Sequence, residues 1–380
     1  MVFMVNWYTI YLLELEMQKY GFLSVFLNYN SKNEEMILVT GATGLVGGNL
    51  IWHLLQENDR VSAIRRPSSN LQPLHTIFSF YTAFPDDFLA RIDWIVADVL
   101  DENSIQQAMK GVTLVYHCAA VVSFNAGEQT ILDVNVAGTR NMVRSALDNN
   151  ITKFCFVSSI AACGRADNKE QIDENDVWTD TPQRSLYSRS KYYSEQEVWK
   201  GIDEGLNAVI VNPGVILGVS GTNTGSSQLF SQARKGLAFY TLGCSGYVDV
   251  RDVVKAMILL TQSTISGERF ILVGENCSGK DILGWMADGF GKHRPFICIG
   301  KRTLWTVGVI VEMVGKLFRF TPLLDRATAR TATHKEYYSN SKVEKALHFQ
   351  FTPIEKCILE ICSFQKNRNG RKVRSENPAV

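Results

Sequence analysis

Tyr187-Ser188-Arg189-Ser190-Lys191 sets a phenol and an ammonium four residues apart, a spacing that puts both on one face of a helix. Hydride reduction of a carbonyl creates an alkoxide, which needs a proton donor within reach. A phenol serves if its pKa, about 10 in water, is brought down towards neutrality. A cation one helical turn away favours phenolate, so Lys191 is expected to lower the Tyr187 pKa and to hold ribose hydroxyls as well. Ser158-Ser159 follows the apolar run Phe154-Cys155-Phe156-Val157. A hydroxyl at such a strand end either polarises a substrate carbonyl or simply forms a turn. Each pattern alone is ordinary; their conjunction asks for a redox site.

A redox site of this kind needs a hydride carrier, and Thr40-Gly41-Ala42-Thr43-Gly44-Leu45-Val46-Gly47 is suited to hold one. The loop follows a buried-strand pattern and opens a helical one. Gly41 permits a tight turn, Gly44 lets backbone approach a pyrophosphate, and Gly47 lets the helix pack closely. Backbone N–H groups from Thr43 to Gly47 then face phosphate oxygens, aided by the helix dipole. Nucleotide choice falls at the end of the second strand, where Ile64-Arg65-Arg66-Pro67 offers two guanidinium groups and no acid. Arg65 and Arg66 either grip a 2′-phosphate, selecting NADP over NAD, or form a solvated surface pair. Asp98, before Val99, either accepts from the adenine amino group or serves as a helix N-terminal acid.

The elements that position these groups alternate. Apolar runs at residues 36–40, 61–64, 93–97, 114–117, 153–158 and 208–211 are separated by helical patterns, among them 46–56, 104–109, 131–148 and the helix bearing Tyr187. Continuous rather than alternating apolar strands fit a sheet covered on both faces. The fold class expected is α/β, a Rossmann-like doubly wound parallel sheet with a smaller C-terminal α+β substrate-binding region. Residues 36–217 read as the dinucleotide domain, with 244–265 returning to it and 218–365 forming mainly the substrate region. Residues 1–35 read as an extension outside the fold, and 366–380 as a basic, frayed tail.

Composition narrows the function classes. Net charge is +1, which gives no global field for nucleic acid. Eight cysteines are scattered without C-x-x-C pairs or Cys/His clusters, so no metal site is expected and reduced thiols in a cytoplasmic protein are. The N-terminal apolar stretch lacks a basic n-region and carries Glu14, Glu16 and Lys19, and residues 304–318 are too short to span a bilayer. No integral membrane segment is expected; a peripheral contact by 304–318 stays open.

The residues carrying these patterns resemble a known group in family order. Thr40–Gly47, Asp98-Val99, Tyr116-His117-Cys118-Ala119-Ala120, Asp133-Val134-Asn135, Ser158-Ser159, Tyr187-x-x-x-Lys191, Asn212-Pro213-Gly214 and Tyr247-Val248-Asp249 are similar to the extended short-chain dehydrogenase/reductase superfamily, that of the epimerase/dehydratases. Within it, Val61–Arg66 and Ser158-Ser159-Ile160-Ala161 look most like the dihydroflavonol-reductase and 3β-hydroxysteroid-dehydrogenase branches. The resemblance implies Ser159, Tyr187 and Lys191 as the catalytic set, Arg66 as an NADP-binding arginine, and Ala119, Pro213, Val215 and Ile216 beside the cofactor. It also implies a small-molecule carbonyl or alcohol substrate and a possible homodimer. A sugar-nucleotide epimerase or dehydratase with the same triad is the nearest alternative, and a non-catalytic dinucleotide sensor the alternative of another class. Residues 218–243 match no specificity pattern.

Overall fold

The computed structural model describes residues 36–122, 127–164, 170–181, 184–222, 224–300, 303, 306 and 333–376, with side chains as far as 368. The extension at 1–35 and nearly all of the apolar segment 304–318 lie outside the described residues.

The first half is built from β1 (Ile37–Thr40), α1 (Leu45–Glu57), β2 (Val61–Arg65), α2 (Gln72–Tyr81), α3 (Pro85–Leu89), β3 (Ile92–Val96), α4 (Glu102–Ala108) and β4 (Leu114–His117). Then come α5 (Glu128–Leu132), a π-helical turn (Asp133–Ala137), α6 (Gly138–Asp148), β5 (Lys153–Val157), α7 (Leu186–Asp203) and β6 (Ala208–Pro213). The remainder comprises β7 (Val215–Leu217), α8 (Ser226–Lys235), β8 (Phe239–Tyr240), β9 (Cys244–Asp249), α9 (Val250–Gln262), β10 (Glu268–Leu272), β11 (Glu275–Ser278), α10 (Gly279–Phe290), β12 (Ile297–Cys298), α11 (Ser341–Leu347) and α12 (Ile354–Glu376).

Among the described residues a seven-stranded parallel sheet runs in the order β10-β6-β5-β4-β1-β2-β3. Its central strands are apolar on both faces because both are covered. Ile37 and Val39 pack into one core with Leu50, Ile51 and Leu54 of α1 and with Val253 and Met257 of α9. Leu38 points the other way, into a core with Val115, Phe154, Phe156 and Val198. Burial of such side chains, at about 25 cal/mol per Å² of apolar surface, is the main force fixing the helices to the sheet.

Three features depart from the sequence reading. β10 extends the sheet beyond β6, with Phe270 opposite Val211. Its leading Glu268-Arg269 hid it, and Arg269 is tied down by donating to the Glu174 carbonyl. The second is α2 and α3 between β2 and β3, where two prolines at helix starts supply a preset φ but no polar cap. Lastly, α12 continues through the basic stretch to Glu376, where a frayed end was expected; Lys, Arg and Gln are good helix formers once a buried first half has nucleated the helix. Of residues 244–265, β9 lies in a small sheet between β7 and β11, while α9 packs on the main core.

Candidate active site

The order of the parallel strands reverses between β1 and β4: β2 and β3 are added on one side of β1, and β4, β5 and β6 on the other. The crevice at the carboxyl ends of that pair is where open α/β sheets take ligands. The glycine loop fills one side of it. Gly41 adopts φ +67°, and a Cβ there would stand 2.7 Å from the backbone of Cys118 and Ala119, directly after β4. A Cβ on Gly47 would meet the Gly41 carbonyl oxygen at 2.3 Å. Side chains are thus barred at Gly41 and Gly47, on either side of the turn into α1. That helix begins with no side-chain cap and no acid in its first turn, leaving its N–H groups and partial positive charge directed into the crevice.

Beneath the loop, a buried hydrogen-bond chain joins three elements. Ala119 N–H donates to Thr40 Oγ1 (3.1 Å), and Thr40 Oγ1 lies 2.7 Å from His117 Nδ1. On the far side of the ring, His117 Nε2 lies 3.1 Å from Thr139 Oγ1, which donates to the Asn135 carbonyl at 2.6 Å. Because Thr139 spends its proton on Asn135, it accepts from Nε2–H. Nδ1 therefore accepts from Thr40, and the imidazole is neutral. Burial drives its pKa down to about 3, with the Lys191 charge acting in the same direction. Ala119 is held against the glycine loop by this chain.

The two halves of the expected proton-transfer group meet at the end of β5. Ser185 caps α7 by accepting from Ser188 N–H, and the helix presents Tyr187 and Lys191 on one face. Lys191, 3% exposed, donates from Nζ to the Val157 carbonyl at 2.8 Å. Burial lowers its pKa to about 8, against the raising influence of Cys118 and Glu195. Ser159 opens a short 3-10 turn (Ile160–Ala162) by accepting from Ala161 N–H, and its side chain is near enough to the Tyr187 phenol to pull the phenol's pKa down. Ser158, by contrast, is buried beside the Glu195 carboxyl.

One expectation fails here. Tyr187 was expected to have a lowered pKa because of Lys191. Burial instead raises it, and only the Ser159 side chain pulls the other way. The ammonium is turned to the Val157 carbonyl, so desolvation of the phenol dominates.

Two residues with no role in the sequence reading support this face. Asn135 sits in the π-helical turn, exchanges bonds with the backbone of Val121, and donates to Ser190 Oγ on α7. An extra residue in the turn re-aims a side chain in this way. Glu195, a further turn along α7 from Lys191, is 1% exposed and accepts from Asn212 Nδ2 at 3.3 Å. The signal was present as the i+4 spacing from Lys191, but a glutamate on a helix reads as a solvated charge.

Positions named for the nucleotide line the rim. Arg65 ends β2 with its Nε buried and lacking a hydrogen-bond partner, while Arg66 is exposed. Asp98 Oδ1 accepts from Leu100 N–H, an Asx turn, and Asp101 rather than Asp98 caps α4. Val99 is packed under Gly138. Pro213 ends β6, and Val215 and Ile216 lie in β7. Between them, a Cβ on Gly214 would stand 2.4 Å from the Gly246 carbonyl oxygen. Among the described residues no His, Cys, Asp and Glu cluster has the arrangement of a metal site, and no helix is long and apolar enough to cross a membrane.

Similarity to known proteins follows the same residues. The NAD dependent epimerase/dehydratase family matches residues 37–274, from β1 to just past β10. Sterol demethylase protein B of Methylococcus capsulatus is 32% identical over 80% of this chain and 88% of its own length. A putative dihydroflavonol 4-reductase of Synechocystis is 28% identical over 90% and 97%. In shape, a dTDP-glucose 4,6-dehydratase of Streptomyces venezuelae, solved with NAD bound, superposes with a TM-score of 0.68 over 88% of this chain and 98% of that one. At 17% identity it speaks to the fold alone. The chain belongs to the NAD dependent epimerase/dehydratase family, within the extended short-chain dehydrogenase/reductases, and is an NAD(P)-dependent oxidoreductase.

Proposed function

We propose that this protein is an NADP-preferring reductase or dehydrogenase that interconverts a ketone and a secondary alcohol, with Ser159, Tyr187 and Lys191 as its catalytic residues. The observation that carries the reading is the bond from Lys191 to the Val157 carbonyl, which sets the helix bearing Tyr187 against the end of β5 where Ser159 follows, with the Ser159 side chain acting on the Tyr187 phenol. The residues present fit a dinucleotide. The loop admits no Cβ at Gly41 or at Gly47, and the orphaned Arg65 Nε, with Arg66 beside it, suits a 2′-phosphate. The nicotinamide ring, when bound, gives or takes the hydride.

The chain's own groups do the rest. In the reducing direction Ser159 donates to the substrate carbonyl oxygen and Tyr187 passes its proton to that oxygen as it becomes an alkoxide. An ammonium has three N–H donors, and one of Lys191's goes to Val157; the others remain for ribose hydroxyls and for electrostatic support of a phenolate. Because burial raises the Tyr187 pKa, the phenol is held as the acid until the alkoxide forms.

Incubating the protein with NADPH and a panel of ketones tests the reading, with cofactor oxidation followed by absorbance. Stoichiometric loss of NADPH supports a net reductase. Turnover of a sugar nucleotide without net cofactor change would replace it by the epimerase reading.

A further inference from the structure

Behind the catalytic face lies a buried polar cluster that the chemistry above does not use. Asn212, fully buried on β6, donates through one amide group to both the Ser159 carbonyl at 2.9 Å and Glu195 Oε1 at 3.3 Å. Three acceptor-capable atoms of this cluster, Glu195 Oε2, Asn212 Oδ1 and Ser158 Oγ, are buried without a well-formed partner. Leaving such atoms unpaired is costly; with Glu195 ionised the Ser158 hydroxyl brings one proton, enough for one of the other two atoms, and the carboxylate offers no second. A protonated Glu195 does offer one. We propose that Glu195 is a positioning residue of the catalytic site, a carboxyl that takes up and releases one proton and so governs both the Ser159 segment, through Asn212, and the charge on Lys191.

The surroundings of the carboxyl define the direction of the effect. On its own helix it faces Lys191. From β10 it faces Arg269, from β6 Asn212, from the end of β5 Ser158, and from the turn after it Cys163. Burial pushes the Glu195 pKa up to about 7, opposed by Arg269, Asn212, Ser158 and Lys191 in that order. The reciprocal effect is that ionised Glu195 raises the Lys191 pKa, which burial has brought down to about 8. Proton release from Glu195 as pH rises through neutrality therefore stabilises the ammonium just where Lys191 would begin to lose it. Between about 7 and about 8 the pair is mutually charged.

The inference rests on Lys191 holding the cofactor, so it has one test that needs no cofactor and one that does. In the first, infrared spectra of the cofactor-free protein carrying isotope-labelled glutamate are recorded across neutral pH. A labelled protonated-carboxyl band that fades as pH rises through about 7 is expected, and it should be missing from Glu195→Gln. Should Glu195→Gln fail to fold, the labelled wild-type titration still decides: no glutamate band titrating near neutrality overturns the proposal. In the second, NADPH affinity is measured by fluorescence against pH. The alkaline loss of affinity should begin at least about half a pH unit lower in Glu195→Gln, and stay near the wild-type position in Glu195→Asp, which keeps the charge. Superimposable curves for the wild type and Glu195→Gln would overturn it. Neither result depends on Tyr187, so a Tyr187→Phe protein with undiminished turnover would discard the proton-donor reading while leaving the carboxyl titration standing.

Discussion

Lys191 Nζ and the Val157 carbonyl oxygen are 2.8 Å apart, and this bond pins the second turn of α7 to the last residue of β5. Ser158 and Ser159 follow immediately. One hydrogen bond thereby registers the helix that carries the phenol against the strand end that carries the hydroxyl. Replacing Lys191 by Met removes both the bond and the ammonium while keeping most of the volume. NADPH binding should weaken by roughly tenfold or more, as expected for a lost charged hydrogen bond, and turnover should fall further than binding does. A cofactor titration together with a rate measurement distinguishes the two losses.

The glycine loop should tolerate no side chain at Gly47. Its Cβ would sit 2.3 Å from the Gly41 carbonyl oxygen, and that atom is backbone with no freedom to swing aside. Gly47→Ala is expected to cost about 1–3 kcal/mol in stability through overpacking. The same variant should bind NADPH at least about tenfold more weakly, since the loop must shift to admit the methyl. Urea unfolding and fluorescence titration on one preparation check both parts.

Nucleotide preference should reside in Arg65 and Arg66. Charged hydrogen bonds to phosphate are each worth about 1.5–3 kcal/mol, so Arg65→Ala with Arg66→Ala should cut NADPH affinity by about a hundredfold or more and leave NADH nearly unaffected. Equal losses for both nucleotides would mean that the pair is a surface feature without a role in selection.

His117 should make stability fall in acid. Its folded-state pKa, about 3, lies below the ordinary 6.5, so the unfolded chain takes up the proton first. The contribution of the neutral ring is whole above about 6.5 and is lost as pH falls towards 3. His117→Leu should lose roughly 2–4 kcal/mol at neutral pH, because the buried Thr40 hydroxyl loses its acceptor and Thr139 loses the donor on its far side. It should also unfold with a shallower acid dependence than the wild type. Urea midpoints from neutral pH down to about 4 give both quantities.

Much of this was readable in the chain because chemistry there coincides with local pattern. The strands β1 to β6 declare themselves by unbroken apolar runs, and Gly41 to Gly47 by a spacing that only backbone proximity requires. Tyr187 and Lys191 share a face by helical period alone. What escaped detection depends on long-range partners. Asn212 matters because β6 lies beside β5, placing its amide under Ser159. Glu195 is buried among Arg269 of β10, Asn212 of β6 and Ser158 at the end of β5, all distant in sequence. The raised Tyr187 pKa was missed for the same reason: sequence spacing shows the nearby cation, whereas desolvation is a property of the assembled crevice. β10 was hidden by charges whose partners, such as the Glu174 carbonyl, lie almost a hundred residues away.

The central claim is that Tyr187 transfers the proton. Tyr187→Phe removes one oxygen from a partly buried ring and should leave the fold and the cofactor cradle in place. The measurement is NADPH-dependent turnover of a responsive ketone, alongside NADPH affinity of the same protein. Turnover should fall by about a hundredfold or more, the usual scale of a lost general acid, with affinity changed less than about threefold. Turnover equal to the wild type at equal affinity would contradict the assignment.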